Sequence, residues 1–279
     1  MRLRTVRLPY KEGDVYTLYA WGDWHRFSAN CDKTALLETR DAIEADPKAL
    51  YLHMGDGHEC ITPDDKRWHA GGIDERLVTF HDIDRLIDVA VEDAFNFERP
   101  VIAKCIGVHD GNHERTANKY NSTNIVQRKL RLLSTAAGGE YDDLYYPGHA
   151  LTRLVFADKQ RHTCTLVIQS AHGTQAGRMD GAKINRMKQM LAFFRADILL
   201  RGHSHSLFAS PVDWLEGNAV HTHIVAHRGY VAHTGSYFRT YQQEATSYGE
   251  TGDYPPTSIG CPRFLLYPSR DGARIEAVT

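Results

Sequence analysis

The sequence has few cysteines, and none of them lie close together in the chain. The five are Cys31, Cys60, Cys105, Cys164 and Cys261, and no two form a CxxC pair. An odd number of widely separated cysteines does not indicate a disulfide framework. We therefore expect reduced thiols in a cytosolic protein.

Long apolar runs and an excess of either charge are also missing. The N-terminal stretch MRLRTVRLPYKEG carries positive charges without an apolar segment behind them, and no stretch approaches the length of a membrane span. We expect neither export nor membrane anchoring. Lys and Arg total 33 against 35 Asp and Glu, a formal net charge of -2 that supplies no broad attraction for nucleic acid or membranes. Any contact with nucleic acid would have to be local.

Histidine, in contrast, is abundant. The chain of 279 residues has 16 histidines, whereas about two per hundred residues are usual. Because imidazole is the commonest metal ligand among side chains, this excess calls for a search for metal sites. The 42% hydrophobic content is enough for a substantial core.

Apolar runs alternate with amphipathic stretches along the chain, which predicts a layered α/β sheet. Strands are expected near 15–21, 49–55, 101–108, 150–157, 163–170 and 197–202. Helices are expected near 32–45, 82–98, 122–134 and 181–195, the last with an apolar face for core packing. The final third is predicted to be mostly β, with a long surface loop at 241–262. No repeat or linker interrupts the pattern, so we predict one domain over 1–279, with a β- and loop-rich part at about 206–279.

The stretch VHDGNHERT at 108–116 contains two histidines four positions apart, His109 and His113. On a helix they would share one face and could hold a zinc ion. Asp110, Gly111 and Asn112 between them are poor helix formers, and Gly-Asn favours a turn. The segment is therefore predicted to be a strand that runs into a loop.

Five polar clusters follow strand-like runs in this order: GDWH at 22–25, GDGH at 55–58, GNHE at 111–114, HG at 172–173 and GHSH at 202–205. Strand ends on one edge of an α/β sheet face a common crevice, so the clusters can converge. Carboxylates and imidazoles together suit Mn, Fe, Co, Ni or Zn better than Mg or Ca. Two divalent ions would bring four positive charges, of which two aspartates and a bridging hydroxide would neutralise three. The site would therefore stay net positive and could hold a phosphoryl group.

These motifs, over about residues 20–206, resemble those of the calcineurin-like metallophosphoesterases. TGSY at 234–237 and YPPTSIGCP at 254–262 are similar to segments of phage-encoded members. The resemblance implies a layered sandwich of two β-sheets flanked by α-helices. It also implies two divalent transition metal ions, Mn²⁺ in the first place and Zn²⁺, Fe, Ni²⁺ or Co²⁺ as alternatives. The location would be the cytoplasm, that of the host if the protein is phage-encoded.

The resemblance also implies a role for each matching residue. The first metal would be held by Asp23, His25 and His205, the second by Asn112, His172 and His203, with Asp56 bridging. His113 would stand beside the leaving oxygen as proton donor or charge stabiliser, while a metal-bridging hydroxide attacks phosphorus in line. The second motif departs from the family pattern, since GDGHE places His58 and Glu59 where many members have another acidic or amide residue.

The function this implies is a metal-dependent phosphoesterase acting on phosphodiesters in DNA or a nucleotide. A phosphomonoesterase acting on nucleotides or phosphoproteins is one alternative. The other is a non-catalytic scaffold, which should lack ligands or the catalytic histidine, whereas this chain retains both. The physiological substrate, native metals and oligomeric state are not determined by the sequence.

Several further side chains keep two interpretations at this stage. His58 is either a substrate contact or a loop residue. The run of His221, His223, His227 and His233 is either a polar sheet face or substrate rim, or another metal site. Arg115, Lys119 and Arg178 are either phosphate ligands or ordinary surface cations.

Overall fold

The computed structural model describes residues 1–62, 65, 68, 70–174, 179–217, 220, 222–243 and 245–279. Its strands are β1 (Arg2–Pro9), β2 (Tyr16–Trp21), β3 (Ala49–His53), β4 (Cys105–His109), β5 (Tyr145–Tyr146), β6 (Ala150–Ala157), β7 (Thr163–Ala171), β8 (Ile198–Arg201), β9 (Leu207–Gly217), β10 (Ile224–Thr234), β11 (Tyr241–Gln242), β12 (Ala245–Thr246), β13 (Arg263–Ser269) and β14 (Gly272–Val278). Its helices are α1 (Lys33–Ala45), α2 (Leu86–Glu98), α3 (Asn112–Asn121), α4 (Ile125–Ala137), α5 (Asp180–Met190) and α6 (Tyr248–Thr251).

Twelve of these strands form two mixed six-stranded sheets. The first has the order β1-β6-β7-β8-β10-β9 and the second the order β14-β13-β2-β3-β4-β5. In the second sheet β2, β3, β4 and β5 are parallel, and β13 joins β2 antiparallel. In the first sheet β7, β8 and β10 are parallel neighbours.

Apolar residues on both faces of the strands explain the layering. In β2, Leu18 packs into the core between the sheets, whereas Tyr19 packs on the other face beneath the helices. In β8, Leu200 lies in the inter-sheet core and Leu199 packs against Met187 of α5. Alternate side chains of a strand point to opposite faces, so strands buried on both faces need helices outside them. The predicted sandwich of two sheets flanked by helices is confirmed.

Local signals explain where the longer helices begin and end. The Asp32 side chain accepts a hydrogen bond from the Ala35 amide at the start of α1. Asn124 does the same for Gln127 at the start of α4. That helix ends at Gly138, which has a φ of +66°. Such caps satisfy amides and carbonyls that have no partner inside the helix.

Most predicted elements are confirmed, with two corrections. The predicted loop at 112–115 is wrong, because α3 begins at Asn112. The Glu114 carboxylate accepts a hydrogen bond from the Gly111 amide, and this cap outweighs the poor helix propensity of the segment. The predicted surface loop at 241–262 is wrong in part, since it contains β11, β12 and α6.

Both halves of the chain contribute to both sheets. Strands β9 and β10 extend the first sheet, and β13 and β14 extend the second. That the chain forms one domain stays a prediction. Within the described ranges, no helix is long and apolar enough to cross a membrane, and all five cysteines are free.

Candidate metal centre

The side chains predicted to bind metal lie directly after parallel strands of both sheets, on loops or, for Asn112, at the first residue of α3. Asp23 and His25 follow β2, Asp56 follows β3, and Asn112 follows β4. His172 follows β7, and His203 and His205 follow β8. The C-terminal ends of these strands therefore meet where the two sheets adjoin, which is the usual position of sites in α/β folds.

Five of the seven predicted ligands have left-handed backbone conformations. The φ angles are +50° at Asp23, +48° at His25, +50° at Asp56, +68° at His203 and +55° at His205. A residue with a side chain seldom adopts such a φ, and each instance costs on the order of 1–3 kcal/mol. Strain of this kind concentrates at functional sites, where the surrounding structure holds it.

Two glycines let the loops approach closely enough to form the site. A Cβ atom on Gly111 would lie 1.9 Å from Asp56 Oδ1, and one on Gly202 would lie 2.8 Å from Asp23 Oδ2. Any side chain at Gly111 would therefore displace the predicted bridging carboxylate. Gly111 therefore allows the start of α3 to pack against the loop after β3, in addition to the turn that the sequence predicts there.

The first cluster consists of Asp23, His25 and His205, whose donor atoms all lie within 4.8 Å of one another. The Nε2 atoms of the two histidines are 2.9 Å apart, and Asp23 Oδ1 is 3.7 Å from His205 Nε2. Both Asp23 and His25 are fully buried. These are the three residues that the resemblance assigns to one metal ion.

The second cluster consists of Asp56, His172 and His203, again within 4.8 Å. Asn112 joins it, since its Oδ1 lies 3.1 Å from His172 Nε2 and 2.6 Å from His203 Nδ1. Asp56 Oδ2 is 3.1 Å from His172 Nε2. The structure thus brings together the four residues predicted for the other ion and the bridge.

The donor atoms of the second cluster fit a cation. His172 Nδ1 is 2.8 Å from the carbonyl oxygen of Met54, so the ring donates there and its Nε2 points to the opposite side. That Nε2 faces two acceptors, the oxygens of Asn112 and Asp56. With a pKa of about 9, the His172 ring can carry a proton on Nε2 that these oxygens accept, and a divalent ion can take the place of that proton between the same three atoms. A carbonyl that accepts from one ring nitrogen of a histidine, and so orients the other toward the ligand cluster, is typical of metal sites.

Electrostatics also favour positive charge at this place. Burial raises the pKa of Asp23 to about 6, and the nearby Asp56 carboxylate acts in the same direction. Burial alone would lower the pKa of His172, but the adjacent Asp56 carboxylate raises it to about 9. Burial and the neighbouring His172 lower the pKa of His203 to about 4, so this ring is neutral at pH 7.

Glu59, which the sequence interpretation left without a role, lies between two histidines of the site. Its Oε2 is 2.7 Å from His25 Nδ1 and its Oε1 is 3.0 Å from His113 Nδ1. Burial alone would raise the pKa of this carboxyl, but the imidazoles of His113 and His25 hold it well below its usual range. The hydrogen bond holds the His25 ring with Nδ1 protonated, and His113 Nδ1 lies beside the same carboxylate in an ion-pair contact, so the Nε2 atom of each ring points away from Glu59. In the sequence, the position of this acidic residue three places after Asp56 is the feature that could have indicated its role.

Glu114 of the GNHE motif connects two loops of the site. Its carboxylate accepts hydrogen bonds from the amides of Gly111 at 2.9 Å, Asp56 at 3.0 Å and Gly57 at 2.8 Å. In addition, the His113 amide donates to Asp56 Oδ1 at 3.0 Å. The start of α3 and the loop after β3 are thus held in one arrangement.

The TGSY segment lies against the site. Thr234 Oγ1 donates to Asp23 Oδ2 at 3.3 Å, and Ser236 Oγ donates to the Asp23 carbonyl at 2.9 Å. The Tyr237 amide donates to that carbonyl at 3.0 Å. The end of β10 and the residues that follow it therefore support the left-handed turn at Asp23.

The histidines for which the sequence allowed two interpretations lie in different surroundings. His58 is buried, with Nε2 2.7 Å from a carboxylate oxygen of Asp93. His233 is also buried, and its Nδ1 is 2.7 Å from Ser204 Oγ, whereas His227 stacks on Trp214 near the other end of β10. Within the described residues, no metal-binding group includes His223, His227 or His233. His221 lies outside the described residues.

The candidate phosphate ligands differ in exposure and in the groups they contact. Arg115 is half-buried, and its guanidinium donates to the Gly173 carbonyl at 3.4 Å, beside His172. Lys119 is exposed, and its ammonium lies 5.3 Å from the Tyr120 ring. Arg178 lies outside the described residues.

Comparisons with known proteins give little beyond this geometry. No protein-family model and no curated protein matches the chain. Among solved structures, it is similar to a predicted phosphoesterase from Streptococcus pneumoniae, with 15% identity over 95% of this chain and 99% of that one and a TM-score of 0.34. It is also similar to Vps29 from Chaetomium thermophilum (10% identity, 94% and 97% coverage, TM-score 0.39) and to Vps29 complexed with zinc from Entamoeba histolytica (13%, 94% and 98%, 0.34). TM-scores this low do not establish a relationship, so the functional interpretation depends on the chain's own residues.

Proposed function

We propose that this chain is a binuclear metal-dependent phosphoesterase of the calcineurin-like type, and that it hydrolyses phosphodiesters in DNA or a nucleotide. The observation that carries the proposal is the convergence of nitrogen and oxygen ligand atoms from the segments after five strands into two adjoining clusters. One ion would be held by Asp23, His25 and His205, the other by Asn112, His172 and His203, with Asp56 between them. The imidazole, amide and carboxylate donors suit Mn²⁺ first, with Zn²⁺, Fe, Ni²⁺ and Co²⁺ as alternatives.

Two divalent ions bound there would polarise the phosphoryl oxygens and lower the pKa of water. The protein's own contribution begins with His113, whose Nδ1 faces Glu59 at 3.0 Å. Its Nε2 is then the nitrogen we assign to the leaving oxygen, either as proton donor or as stabiliser of the charge that develops there. No side-chain nucleophile is required for this scheme.

Charge favours a diester over a monoester. A diester carries one negative charge and a fully ionised monoester carries two. Of the two described candidate cations, Arg115 donates its bond to the Gly173 carbonyl and Lys119 is exposed beside Tyr120. Neither side chain adds an ion-paired cation to the clusters, so we expect the singly charged ester to bind better. With a formal net charge of -2, the chain would contact a nucleic-acid substrate locally at this cleft.

A substrate panel with metal content measured on the same preparation tests the proposal. The Mn²⁺-loaded protein is incubated with bis-p-nitrophenyl phosphate, p-nitrophenyl phosphate, and single- and double-stranded DNA. We expect close to two bound metal ions per chain and faster turnover of the diester than of the monoester. Faster cleavage of the monoester would replace the diesterase with a phosphomonoesterase. No turnover of any of the four substrates, or fewer than one bound ion, would contradict the phosphoesterase itself.

A further inference from the structure

Asp93 of α2 holds two side chains from two different loops of the metal centre. Its carboxylate accepts two hydrogen bonds from the Arg26 guanidinium, at 2.6 Å from Nε and 2.8 Å from Nη2. It also lies 2.7 Å from His58 Nε2. The side chain of His58 is 3% exposed, that of Arg26 10% and that of Asp93 20%, so water competes little for these bonds.

Each of these two partners is adjacent in sequence to a residue of the site. Arg26 follows His25, and His58 precedes Glu59. The backbones of the two loops are joined as well, since the His25 amide donates to the Asp56 carbonyl at 3.1 Å and the Glu59 amide donates to the Arg26 carbonyl at 3.1 Å. A displacement of Arg26 or His58 would therefore move His25 and Glu59 with it.

These loops need support from outside themselves. Both His25 and Asp56 have left-handed backbone angles, which persist only where the surrounding structure holds them. α2 supplies a rigid base, because the Arg26 guanidinium also lies 4.2 Å over the ring of Phe97 on the same helix. Burial alone would raise the pKa of Asp93, but His58 and Arg26 hold it well below its usual range.

We infer that Asp93 is a positioning residue which, through Arg26 and His58, sets the places of His25 and Glu59 in the metal centre. The effect of this placement on metal binding rests on the proposed function, whereas the contacts of Asp93 are observed in the structure. It also assigns His58 a role, as a link between the loop after β3 and α2 rather than a contact of the substrate.

The experiment compares Asp93→Asn with Glu98→Gln on the same helix. Glu98 is a matched control, because it is a buried carboxylate paired with Lys129 and is not in contact with the site. Mn²⁺ binding is measured by titration calorimetry, and amide hydrogen exchange is followed at His25 and Glu59. We expect about tenfold weaker Mn²⁺ binding and faster exchange at both amides in Asp93→Asn, while Glu98→Gln lowers the melting temperature without either effect.

A second pair of variants keeps the test decisive if Asp93→Asn does not fold. The amide of glutamine can replace the Nε2 donor of histidine, so His58→Gln should keep the Mn²⁺ affinity and the amide exchange rates of the wild type. His58→Leu has no such donor, so it should bind Mn²⁺ more weakly and exchange faster at His25 and Glu59. Unchanged exchange at His25 and Glu59 in Asp93→Asn or His58→Leu, or equal effects in Glu98→Gln, would overturn the inference. If the wild-type protein binds no Mn²⁺, the proposed function fails, while the exchange measurements still decide the role of Asp93.

Discussion

The substitution Glu59→Gln tests the electrostatic design of the site with little change in shape. The Glu59 carboxylate is hydrogen-bonded to Nδ1 of His25 at 2.7 Å and lies 3.0 Å from Nδ1 of His113 in an ion-pair contact. A glutamine offers one acceptor and one donor in the same place, so it can keep only one of these contacts. The other histidine then faces an N–H group and loses the carboxylate that orients its ring. If that ring is His25, its proton moves to Nε2, where the lone pair is needed, and metal binding weakens. If it is His113, Nε2 is no longer held toward the leaving oxygen, and turnover falls.

The magnitude follows from the bond that is lost. A hydrogen bond to a charged group contributes about 1.5–3 kcal/mol. At about 1.36 kcal/mol per factor of ten, this corresponds to roughly 10- to 150-fold. We therefore expect the Mn²⁺ dissociation constant to rise, or kcat at saturating Mn²⁺ to fall, by an amount in this range.

Calorimetric titration with Mn²⁺ and steady-state hydrolysis of bis-p-nitrophenyl phosphate separate the two outcomes. Glu98→Gln is the control for removal of a buried carboxylate, since Glu98 pairs with Lys129 away from the site. It should lower the melting temperature and leave the metal affinity unchanged. A Glu59→Gln protein with wild-type Mn²⁺ affinity and wild-type kcat would refute the reasoning, because neither histidine would then depend on the carboxylate.

Three further predictions follow from single residues. His113→Ala should lower kcat on the diester by about 10²- to 10⁴-fold with the metal content unchanged, and full turnover would remove its assigned role. Gly111→Ala places a methyl group 1.9 Å from Asp56 Oδ1, so it should lower the melting temperature and weaken Mn²⁺ binding; wild-type values of both would contradict the packing. Burial, together with the nearby His172 and Arg201, lowers the pKa of His109 to about 3 from about 6.5 in the unfolded chain. Between these two values the unfolded chain binds more protons than the folded one, so the free energy of unfolding falls as the pH falls. In urea unfolding, His109→Gln should lose about 2 kcal/mol less of this free energy between pH 7 and pH 5 than the wild type does. An equal loss in the two proteins would count against the prediction.

The order and type of the elements could largely be predicted from the sequence, because apolar periodicity reports directly on burial. The helix at Lys33–Ala45 begins after the aspartate that caps it, and β2, β3, β6 and β7 match their apolar runs. The start of α3 could not be predicted this way. Its residues favour a turn locally, and the helix forms because Glu114 accepts from three backbone amides, two of them on the loop after β3.

The same division holds for the site. The family resemblance carried by the motifs implied the seven candidate ligands and His113, because each residue type carries its chemistry wherever the fold places it. The tertiary structure decided which atoms face one another, such as the acceptors around His172 Nε2. It also decided the roles of Glu59 and Asp93, whose partners lie 34 to 67 positions away in the chain. A side chain's type is local information, whereas the hydrogen bonds that orient it come from neighbours that only the packing of two sheets and α2 brings into contact.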